Sequence, residues 1–257
     1  MKVNTPEDAE IIVQKVPSDM GIHRNPRKGT LNAPDKIMDG FESEHDFLVD
    51  EVFPDEFDLE ETHRRIEHNT EELLKYGKPL FSVGGDHSVS FPVIKVLKQR
   101  FPDMNLVWLD SHLDVKRKVD GHVSHDVVVR ELLDHGFEPE EIFFLGISKI
   151  DDDEEVFIDG KEFNLFKYDE VEEFLREFSS NEQPVYLSID IDVLAKDIAP
   201  GTGYTDGELD LSQVLNIIQT VEPDYGDLVE VAPTLDNEKR TMKAAEKILE
   251  KTISGIT

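Results

Sequence analysis

Three side chains with metal-binding groups occupy alternate positions in the sequence. Asp110, His112 and Asp114 come directly after the apolar run Leu106–Leu109. In an extended chain, residues two apart point to the same side, so these three groups would face a common point. The chain has only nine histidines among its 257 residues, and unpaired acids at the end of a buried strand are costly. The pattern is therefore more specific for a metal site than two alternate acids would be.

Two further segments carry the same kinds of group. Asp190 and Asp192 repeat the alternate spacing after a second apolar run, and His87 follows a pair of glycines that permits a tight turn. Four carboxylates and two imidazoles can coordinate two divalent cations, and oxygen-rich ligation with some nitrogen favours Mn²⁺ over Zn²⁺. Two such ions, about 3.5–4 Å apart, activate water as a nucleophile at neutral pH. The composition of the set thus indicates a hydrolase.

Each segment has a simpler interpretation when it is taken alone. Acids two positions apart are common by chance in so acidic a chain, so Asp190 and Asp192 carry little weight by themselves. The Gly-Gly-Asp-His segment at 84–87 is also typical of a turn whose Asp caps the following helix. It is the occurrence of all three segments at successive strand ends that favours metal binding.

Alternating apolar runs and helical periods surround these segments. This alternation is typical of a parallel α/β sheet covered by helices on both faces. The predicted strands are Ile11–Val16, Leu80–Val83, Leu106–Leu109, Ile142–Ile147, Val185–Ile189 and Leu228–Val231. The predicted helices are Leu59–Tyr76, Phe91–Arg100, Val127–His135, Glu170–Phe178, Leu211–Val221 and Arg240–Ile253. Since ligands bind at the carboxyl ends of such strands, these segments and Glu230 in the last run are expected to meet at one edge.

Two segments show neither the apolar run of a buried strand nor the periodicity of a helix. The segment 35–58 has no assignment, and the acidic run Asp151–Lys161 is predicted to be a solvated loop. The sequence contains no internal repeat and no flexible linker, so we expect a single domain over residues 1–257. Five histidines without a chemical context are predicted to lie at the surface: His23, His45, His63, His68 and His135.

The charge of the chain is strongly negative. Its 57 acidic and 27 basic residues give a formal net charge of −30, which disfavours nucleic acid and anionic membranes and favours a cationic partner. The chain has no cysteine, which excludes a disulfide framework, a thiolate metal site and a cysteine nucleophile. The first ten residues lack the pattern of a signal peptide, and no apolar run is long enough to span a bilayer. We therefore expect a cytoplasmic protein.

The segments named above resemble those of the ureohydrolase family, which includes arginases, agmatinases and formiminoglutamases. The resemblance extends from about Val16 to Ile248, and its motifs are Gly-Gly-Asp-His-Ser at 84–88, Asp-Ser-His-Leu-Asp at 110–114, Ser-Ile-Asp-Ile-Asp-Val-Leu at 188–194 and Val-Glu-Val-Ala-Pro at 229–233. It implies a three-layer α/β/α fold with a mainly parallel central sheet, and two Mn²⁺ ions per subunit. One ion would be held by His87, Asp110, Asp114 and Asp190, and the other by Asp110, His112, Asp190 and Asp192, so that Asp110 and Asp190 are shared.

The resemblance also implies roles for two further residues. Glu230 matches the carboxylate that binds the guanidinium of the substrate, a planar group whose donors suit a carboxylate. His125 matches the histidine that gives a proton to the leaving amine and takes one from the replacement water. His122 is the nearest alternative for this role, and a helix-start residue without chemistry is the simpler interpretation of His125. Asp126 stands where the family usually has glycine, a departure that affects the shape of this loop.

The motifs that bear on the substrate point in different directions. The segment Ala199–Gly203 resembles the agmatinase version of its loop, which favours agmatine, cleaved to urea and putrescine. Asp151 and Glu154 lie near the acids with which arginases hold the α-amino group of arginine, and Lys116 matches a basic residue of formiminoglutamases. Arginase, or another guanidino or formimino hydrolase, is therefore the alternative, and a non-catalytic metal-binding scaffold is an alternative of another class. Relatives form trimers or hexamers, so a homo-oligomer is also expected.

Overall fold

Nine parallel strands form one central sheet in the computed structural model, which describes residues 1–23, 25, 27–178 and 182–255. The strands are Lys2–Val3 (β1), Ile11–Val16 (β2), Phe47–Glu51 (β3), Leu80–Gly84 (β4), Asn105–Leu109 (β5), Ile142–Ile147 (β6), Asn164–Lys167 (β7), Val185–Asp190 (β8) and Tyr225–Val229 (β9). Their order across the sheet is β1-β3-β2-β4-β9-β8-β5-β6-β7. The predicted parallel sheet is thus confirmed. Five of the six predicted strands match closely, whereas the strand predicted at Leu228–Val231 is displaced and runs from Tyr225 to Val229.

Helices cover both faces of this sheet. Within the described residues they are Ala33–Met38 (α1), Leu59–Leu74 (α2), Ser90–Arg100 (α3), Val128–Leu133 (α4), Asp152–Ile158 (α5), Val171–Glu177 (α6), Leu211–Val221 (α7) and Arg240–Gly255 (α8). Buried residues of α1, α6, α7 and α8 share one hydrophobic cluster with the sheet, and those of α2, α3 and α4 share a second one. This is the expected three-layer α/β/α arrangement. None of the described helices is long and apolar enough to cross a membrane.

The order of the strands reverses at the centre of the sheet. The chain passes from β4 to β5, continues outwards through β6 and β7, and then returns to place β8 and β9 between β4 and β5. Crevices form at the carboxyl ends of strands where the order reverses in this way. The four central strands β4, β9, β8 and β5 therefore frame the place where a ligand would bind.

The three strands that apolar runs do not predict lie towards the edges of the sheet. β1 and β7 are the two edge strands, and β3 lies next to β1. Most of their residues are half-buried rather than buried, because an edge has fewer neighbours to cover it. They consequently lack the continuous apolar run that marks a central strand. α1 and β3 supply structure within the unassigned segment 35–58.

The prediction of a solvated loop over Asp151–Lys161 is wrong for most of that segment, because residues 152–158 form α5. Asp151 and Glu154 form a capping box, in which each side chain accepts a backbone N–H of the first turn. Acids in this turn also interact favourably with the helix dipole. Phe157 and Ile158 then pack against the core. The run of acidic residues therefore forms the N-terminal turn of α5.

His63 is buried, although we predicted a surface position. It lies on α2, four residues after Leu59 and three before Ile66, and so belongs to the buried face of that helix. Its ring packs beside Phe91 with 6.0 Å between the centroids. Burial, with a smaller effect from the charge of Lys95, lowers the pKa of His63 to about 4. Of the other histidines predicted at the surface, His23, His68 and His135 are exposed and His45 is half-buried.

We expect the buried imidazole of His63 to make the protein sensitive to mild acid. Its pKa is about 4 in the folded protein against an ordinary value of 6.5, so the unfolded chain takes up the proton first. Its contribution to stability is full above about pH 6.5, is lost as the pH falls towards 4, and changes by about 2 kcal/mol between pH 7 and pH 5. In chemical denaturation, His63→Gln should show a correspondingly smaller pH effect, while His68→Gln at an exposed position of α2 keeps the full effect. An undiminished effect in His63→Gln would contradict this assignment.

Candidate active site

Four adjacent strands deliver the predicted site residues to one edge of the sheet. His87 follows β4, the segment Asp110–Asp114 follows β5, β8 ends at Asp190, and Glu230 follows β9. The registers place four residues in one row across these strands: Val83, Leu228, Ile189 and Leu109. Because the strand ends are level, the polar residues that come next are brought to a common place.

A close approach of two chain segments fixes the turn that carries His87. A Cβ atom at Gly85 would lie 1.7 Å from the carbonyl oxygen of Ser18, so the packing requires glycine. The backbone N–H of Asp86 donates to that same carbonyl at 2.8 Å. The Asp86 carboxylate accepts the N–H of Ser88 at 2.9 Å and so caps the short helical turn 87–89. In this segment Asp86 therefore caps the helical turn, and the same turn positions His87 as a candidate ligand.

His87 is the centre of a first cluster of candidate ligands. Its Nδ1 atom lies 3.1 Å from Asp110 Oδ2, 3.3 Å from Asp114 Oδ2 and 3.2 Å from Asp190 Oδ2. The imidazole is 1% exposed and stacks on the Trp108 ring, with 4.0 Å between centroids. Ligand atoms of His87, Asp110 and Asp190 all lie within 4.8 Å of one another. These four side chains are the set that the resemblance assigns to one ion.

His112 gathers a second cluster beside the first. Its Nδ1 atom lies 3.4 Å from Asp110 Oδ1 and 3.1 Å from Asp192 Oδ2, and the three ligand atoms again fall within 4.8 Å. Asp110 therefore belongs to both clusters and turns one oxygen towards each, as a carboxylate shared by two ions would. Asp190 joins the first cluster through Oδ2, and its Oδ1 accepts the Asp192 N–H at 2.7 Å. Its sharing with the second ion stays a prediction.

The chemistry of this set fits a pair of cations. His87 Nδ1 and Asp110 Oδ2 are buried and, among the described residues, have no hydrogen-bond partner, although they lie 3.1 Å apart. Burial, followed by the charges of Asp192 and Asp110, raises the pKa of Asp190. Burial and the charge of Asp110 raise the pKa of Asp114 to about 7. Buried carboxylates that repel one another are costly unless cations compensate them. The residues present would therefore hold two divalent ions.

A chain of buried hydrogen bonds orients His87 from the side away from the carboxylates. The Ser188 hydroxyl donates to Asp227 Oδ1 at 2.7 Å, and its oxygen lies 2.8 Å from His87 Nε2. The Tyr186 hydroxyl donates to Asp227 Oδ2 at 2.6 Å. Because the hydroxyl proton of Ser188 is directed to Asp227, Nε2 of His87 is the donor to Ser188. The lone pair of Nδ1 is then available to a metal ion, as a ligand requires.

Ser188 and Asp227 are not among the residues that the sequence patterns single out. Ser188 precedes Asp190 by two positions and so lies on the same side of β8, which is a usable signal. Asp227 is an acid in the central strand β9, directly before the predicted apolar run, and a buried carboxylate there needs a partner. Which partner it has depends on the pairing of β8 with β9, and no local pattern specifies that pairing.

Replacing Ser188 with alanine should weaken metal binding by about 10- to 100-fold, because the orienting partner of a metal-ligating histidine contributes on this scale. Titration of the metal-free protein with Mn²⁺ measures the effect. Ser212→Ala, at an exposed serine of α7, is the matched control and should bind as the parent protein does. Equal affinity of Ser188→Ala and the control would show that His87 needs no such orientation.

Glu230 and His125 face each other beside the first cluster. Glu230 Oε1 accepts the backbone N–H of His87 at 3.0 Å and lies 3.1 Å from His125 Nδ1. Both residues are buried, at 5% and 6% exposure. Burial opposes protonation of His125, but the hydrogen bond to Glu230 and its charge outweigh burial and raise the pKa of His125 to about 9. His125 is therefore protonated at neutral pH and donates to Glu230 through Nδ1.

Two residues of the site have left-handed backbone conformations, which non-glycine residues rarely adopt. The φ angle is 52° at Asp114 and 61° at Glu230. Each such position costs about 1–3 kcal/mol and persists only where its surroundings impose it. The Glu230 N–H is held by the Gly85 carbonyl at 2.8 Å, and the Asp114 carbonyl accepts the Val129 N–H at 3.1 Å. Strain of this kind concentrates at functional positions.

A cavity of about 840 Å³ is lined by residues of both clusters together with Glu230 and His125. Asp151 and Glu154, the acids predicted to bind substrate, line it as well. Lys116 Nζ lies 2.5 Å from Asp151 Oδ2 and 3.9 Å from Glu154 Oε2, so these acids already compensate a lysine. The alternative proton carrier, His122, lines a separate cavity of about 230 Å³.

Tyr204 is a further residue of the large cavity that the sequence patterns do not single out. Its ring centroid lies 5.0 Å from that of His112 and 6.1 Å from that of His125. It follows directly after the segment Ala199–Gly203, and its position next to that motif is the only signal in the sequence.

Comparison with known proteins places the chain in a family. A model described as the arginase family matches residues 9–254. An agmatinase from Bacillus anthracis is 29% identical over 271 residues, covering 97% of this chain and 92% of the relative. An agmatinase from Bacillus cereus is 32% identical over 200 residues, covering 74% and 68%. The crystal structure of formimidoylglutamase from Bacillus subtilis has the same fold, with a TM-score of 0.88 at 23% identity over 100% of this chain and 89% of that one. The chain therefore belongs to the arginase family of hydrolases, which cleave C–N bonds of guanidino compounds.

Proposed function

We propose that this protein hydrolyses agmatine to urea and putrescine with two Mn²⁺ ions. The observation that carries the proposal is the buried pair of Glu230 and His125, 3.1 Å apart, beside two clusters that share Asp110. Metal binding alone needs neither member of this pair, which favours an enzyme over a non-catalytic scaffold. The two agmatinase relatives, 29% and 32% identical, support agmatine as the substrate.

Lys116 bears on the choice between agmatine and guanidino compounds with a carboxylate. A substrate carboxylate would need a cation in the cavity. Lys116 Nζ is 2.5 Å from Asp151 and 3.3 Å from Asp153, so its charge is compensated within the protein. At the end opposite its guanidinium group, agmatine has an amine in place of a carboxylate, and so it needs no such cation. The pairing engages Lys116, but Arg130 and Lys149 line the same cavity, so the preference for agmatine rests on the agmatinase relatives.

Glu230 binds the guanidinium group in this proposal. Its Oε1 is engaged by the His87 N–H and by His125 in the described structure, so Oε2 is the oxygen directed to substrate donors. A hydrogen bond between two charged groups is about twice as strong as one between neutral groups, and burial strengthens it further. Glu230 would therefore bind the N–H groups of the guanidinium and hold this group beside the ligand clusters.

His125 handles the protons. With a pKa of about 9 it is protonated at neutral pH and can give a proton to the amine nitrogen as the C–N bond breaks. It then recovers a proton from the next water. When bound, the divalent cations lower the pKa of a coordinated water and so supply a nucleophile at neutral pH. The sum is one water added across one C–N bond, giving urea and a diamine.

His125→Asn should keep both metal positions and lower kcat by about 100-fold or more, the usual contribution of a general acid. Elemental analysis and steady-state rates measure the two quantities separately. His122→Asn is the matched control, because that ring lines the separate cavity, and its rate should match that of the parent protein. If His125→Asn is as fast as the control, the proton role belongs to another group.

A substrate panel tests the proposed function itself. Metal-free protein is loaded with Mn²⁺ and offered agmatine, arginine, guanidinobutyrate and formiminoglutamate, and the released urea or formamide and the amine are measured. The assay is run at low and high ionic strength, because a net charge of −30 destabilises the compact chain when it is not screened. Preferred turnover of agmatine supports the proposal, preference for another compound replaces the substrate, and turnover of none with metals bound favours the scaffold.

From the family resemblance we also propose a homo-oligomer, trimer or hexamer, located in the cytoplasm. Light scattering of the Mn²⁺-loaded protein measures the assembly, and a monomeric mass would contradict it. Fractionation of the producing cells tests the location.

A further inference from the structure

The ring of Tyr204 stands beside both histidines that flank the reaction site. Its centroid lies 5.0 Å from His112, a ligand of the second cluster, and 6.1 Å from His125, the proposed proton carrier. The rings of Tyr204 and His125 are nearly parallel, with 19° between their planes. Tyr204 is half-buried and lines the 840 Å³ cavity. This aromatic face is therefore next to the reacting end of the cavity.

The surroundings of this ring suit a cation. Carboxylates of Asp114, Asp126 and Glu230 line the same cavity. One cation of the protein already lies near the ring, because Lys149 Nζ is 5.9 Å from its centroid. An aromatic face attracts a cation through its quadrupole, and a planar guanidinium can also stack on it, which a tetrahedral ammonium cannot do. Together with carboxylates, such a face distinguishes a guanidinium from other cations.

We propose that Tyr204 is a specificity-determining residue, whose ring packs against the planar guanidinium end of the substrate while Glu230 pairs with its charge. The proposal rests on the proposed function in that the substrate carries a guanidinium. The distances to His112 and His125 assign the ring to this end of the substrate. Tyr204 therefore selects the substrate by the guanidinium group that is cleaved. The aromatic face makes this contact, and the phenol oxygen is not needed for it.

Three variants isolate the contribution of the ring. Tyr204→Phe keeps the aromatic face and loses the hydroxyl, whereas Tyr204→Leu keeps apolar bulk and loses the face. Tyr168→Leu is the control, because Tyr168 is an exposed tyrosine in a turn after β7. Each protein is loaded with Mn²⁺ and its metal content is measured before use. Full metal content in Tyr204→Leu is expected, and loss of metal would overturn the proposal, since the ring would then act through His112.

Binding of small cations gives a readout that does not depend on turnover. Guanidinium and n-butylammonium chlorides at millimolar concentration are titrated into each loaded protein. We expect guanidinium to bind about tenfold more weakly to Tyr204→Leu and within twofold of the parent protein to Tyr204→Phe, with n-butylammonium unchanged in both. Unchanged guanidinium binding in Tyr204→Leu, or an equal loss for both cations, would overturn the proposal.

Kinetics on the accepted substrate give a second readout. Tyr204→Leu should raise KM by about the same tenfold factor while kcat stays within about threefold, because the ring contacts the substrate before and during the reaction. A fall in kcat at constant KM would contradict a binding role. If the parent protein turns over no guanidino compound, the proposed function fails, while the guanidinium titration still decides the role of Tyr204.

Discussion

Replacing Asp110 with asparagine is expected to remove both metal positions and to lower turnover by at least about a thousandfold, because in the proposed mechanism the activation of water depends on both ions. Asp110 is the residue that the two clusters share, with Oδ2 3.1 Å from His87 and Oδ1 3.4 Å from His112. An asparagine has nearly the same shape but no charge, and its amide nitrogen cannot coordinate a cation. The variant therefore removes an oxygen ligand from one ion and the shared negative charge from both.

Elemental analysis and the rate on the preferred substrate measure this prediction together. Asp103→Asn is the matched control, since that exposed acid lies at the opposite end of β5. The control should retain full metal content and full rate. Asp110→Asn with one ion still bound would show that the clusters load independently, and with two ions bound it would contradict the assignment of Asp110 as a shared ligand.

Glu230→Gln should keep its metals and lose about 100- to 1,000-fold in kcat/KM, because the proposed charged pair with the guanidinium would be replaced by a neutral contact. The glutamine can still accept the His87 N–H at the position of Oε1, so the turn before α3 should remain in place. The loss is then one of substrate binding and positioning rather than of metal binding.

The same variant should change the pH dependence of the rate. Burial opposes the charge on His125, and Glu230 is the main group that raises the pKa of His125 to about 9. A proton donor acts below its pKa, so activity that depends on His125 should persist up to about pH 9 and fall above it. Without the charge of Glu230 this fall should begin at lower pH. Glu250→Gln, an exposed position on α8, should leave both the rate and the profile unchanged.

Most of the central strands could be predicted because strands that are buried on both faces consist mainly of apolar residues. β2, β4, β5, β6 and β8 are buried over most of their length and appear as apolar runs. β9 reads Tyr-Gly-Asp-Leu-Val, and only its last two residues belong to the predicted apolar run. β7 reads Asn-Leu-Phe-Lys and lies at an edge, so it lacks that pattern. α5 could have been predicted from the capping pair Asp151 and Glu154, which the density of charge obscures.

The candidate ligands could be predicted because a simple rule places them: polar residues after parallel strands meet at one edge. The structure brings His87, Asp110, His112, Asp114, Asp190 and Asp192 together in that way. Their role as ligands stays a prediction.

Contacts between distant segments could not be predicted. The bond between Ser188 and Asp227 requires β8 to lie beside β9, and the approach of Tyr204 to His125 joins two loops 79 positions apart. The pairing of Lys116 with Asp151 is of the same kind. No local pattern fixes such neighbours, because they follow from the order of the strands.

During synthesis, a nascent chain that ends before residue 185 already has β4 and β5 but not the two strands that separate them in the finished sheet. It carries His87 and Asp110 but lacks Asp190 and Asp192. Such a chain lacks two of the candidate ligands of the proposed ion pair, and pairings between segments this far apart form slowly. The proposed metals would therefore be acquired late, after the arrival of β8 and β9, and their ligand bonds would stabilise the insertion of these strands.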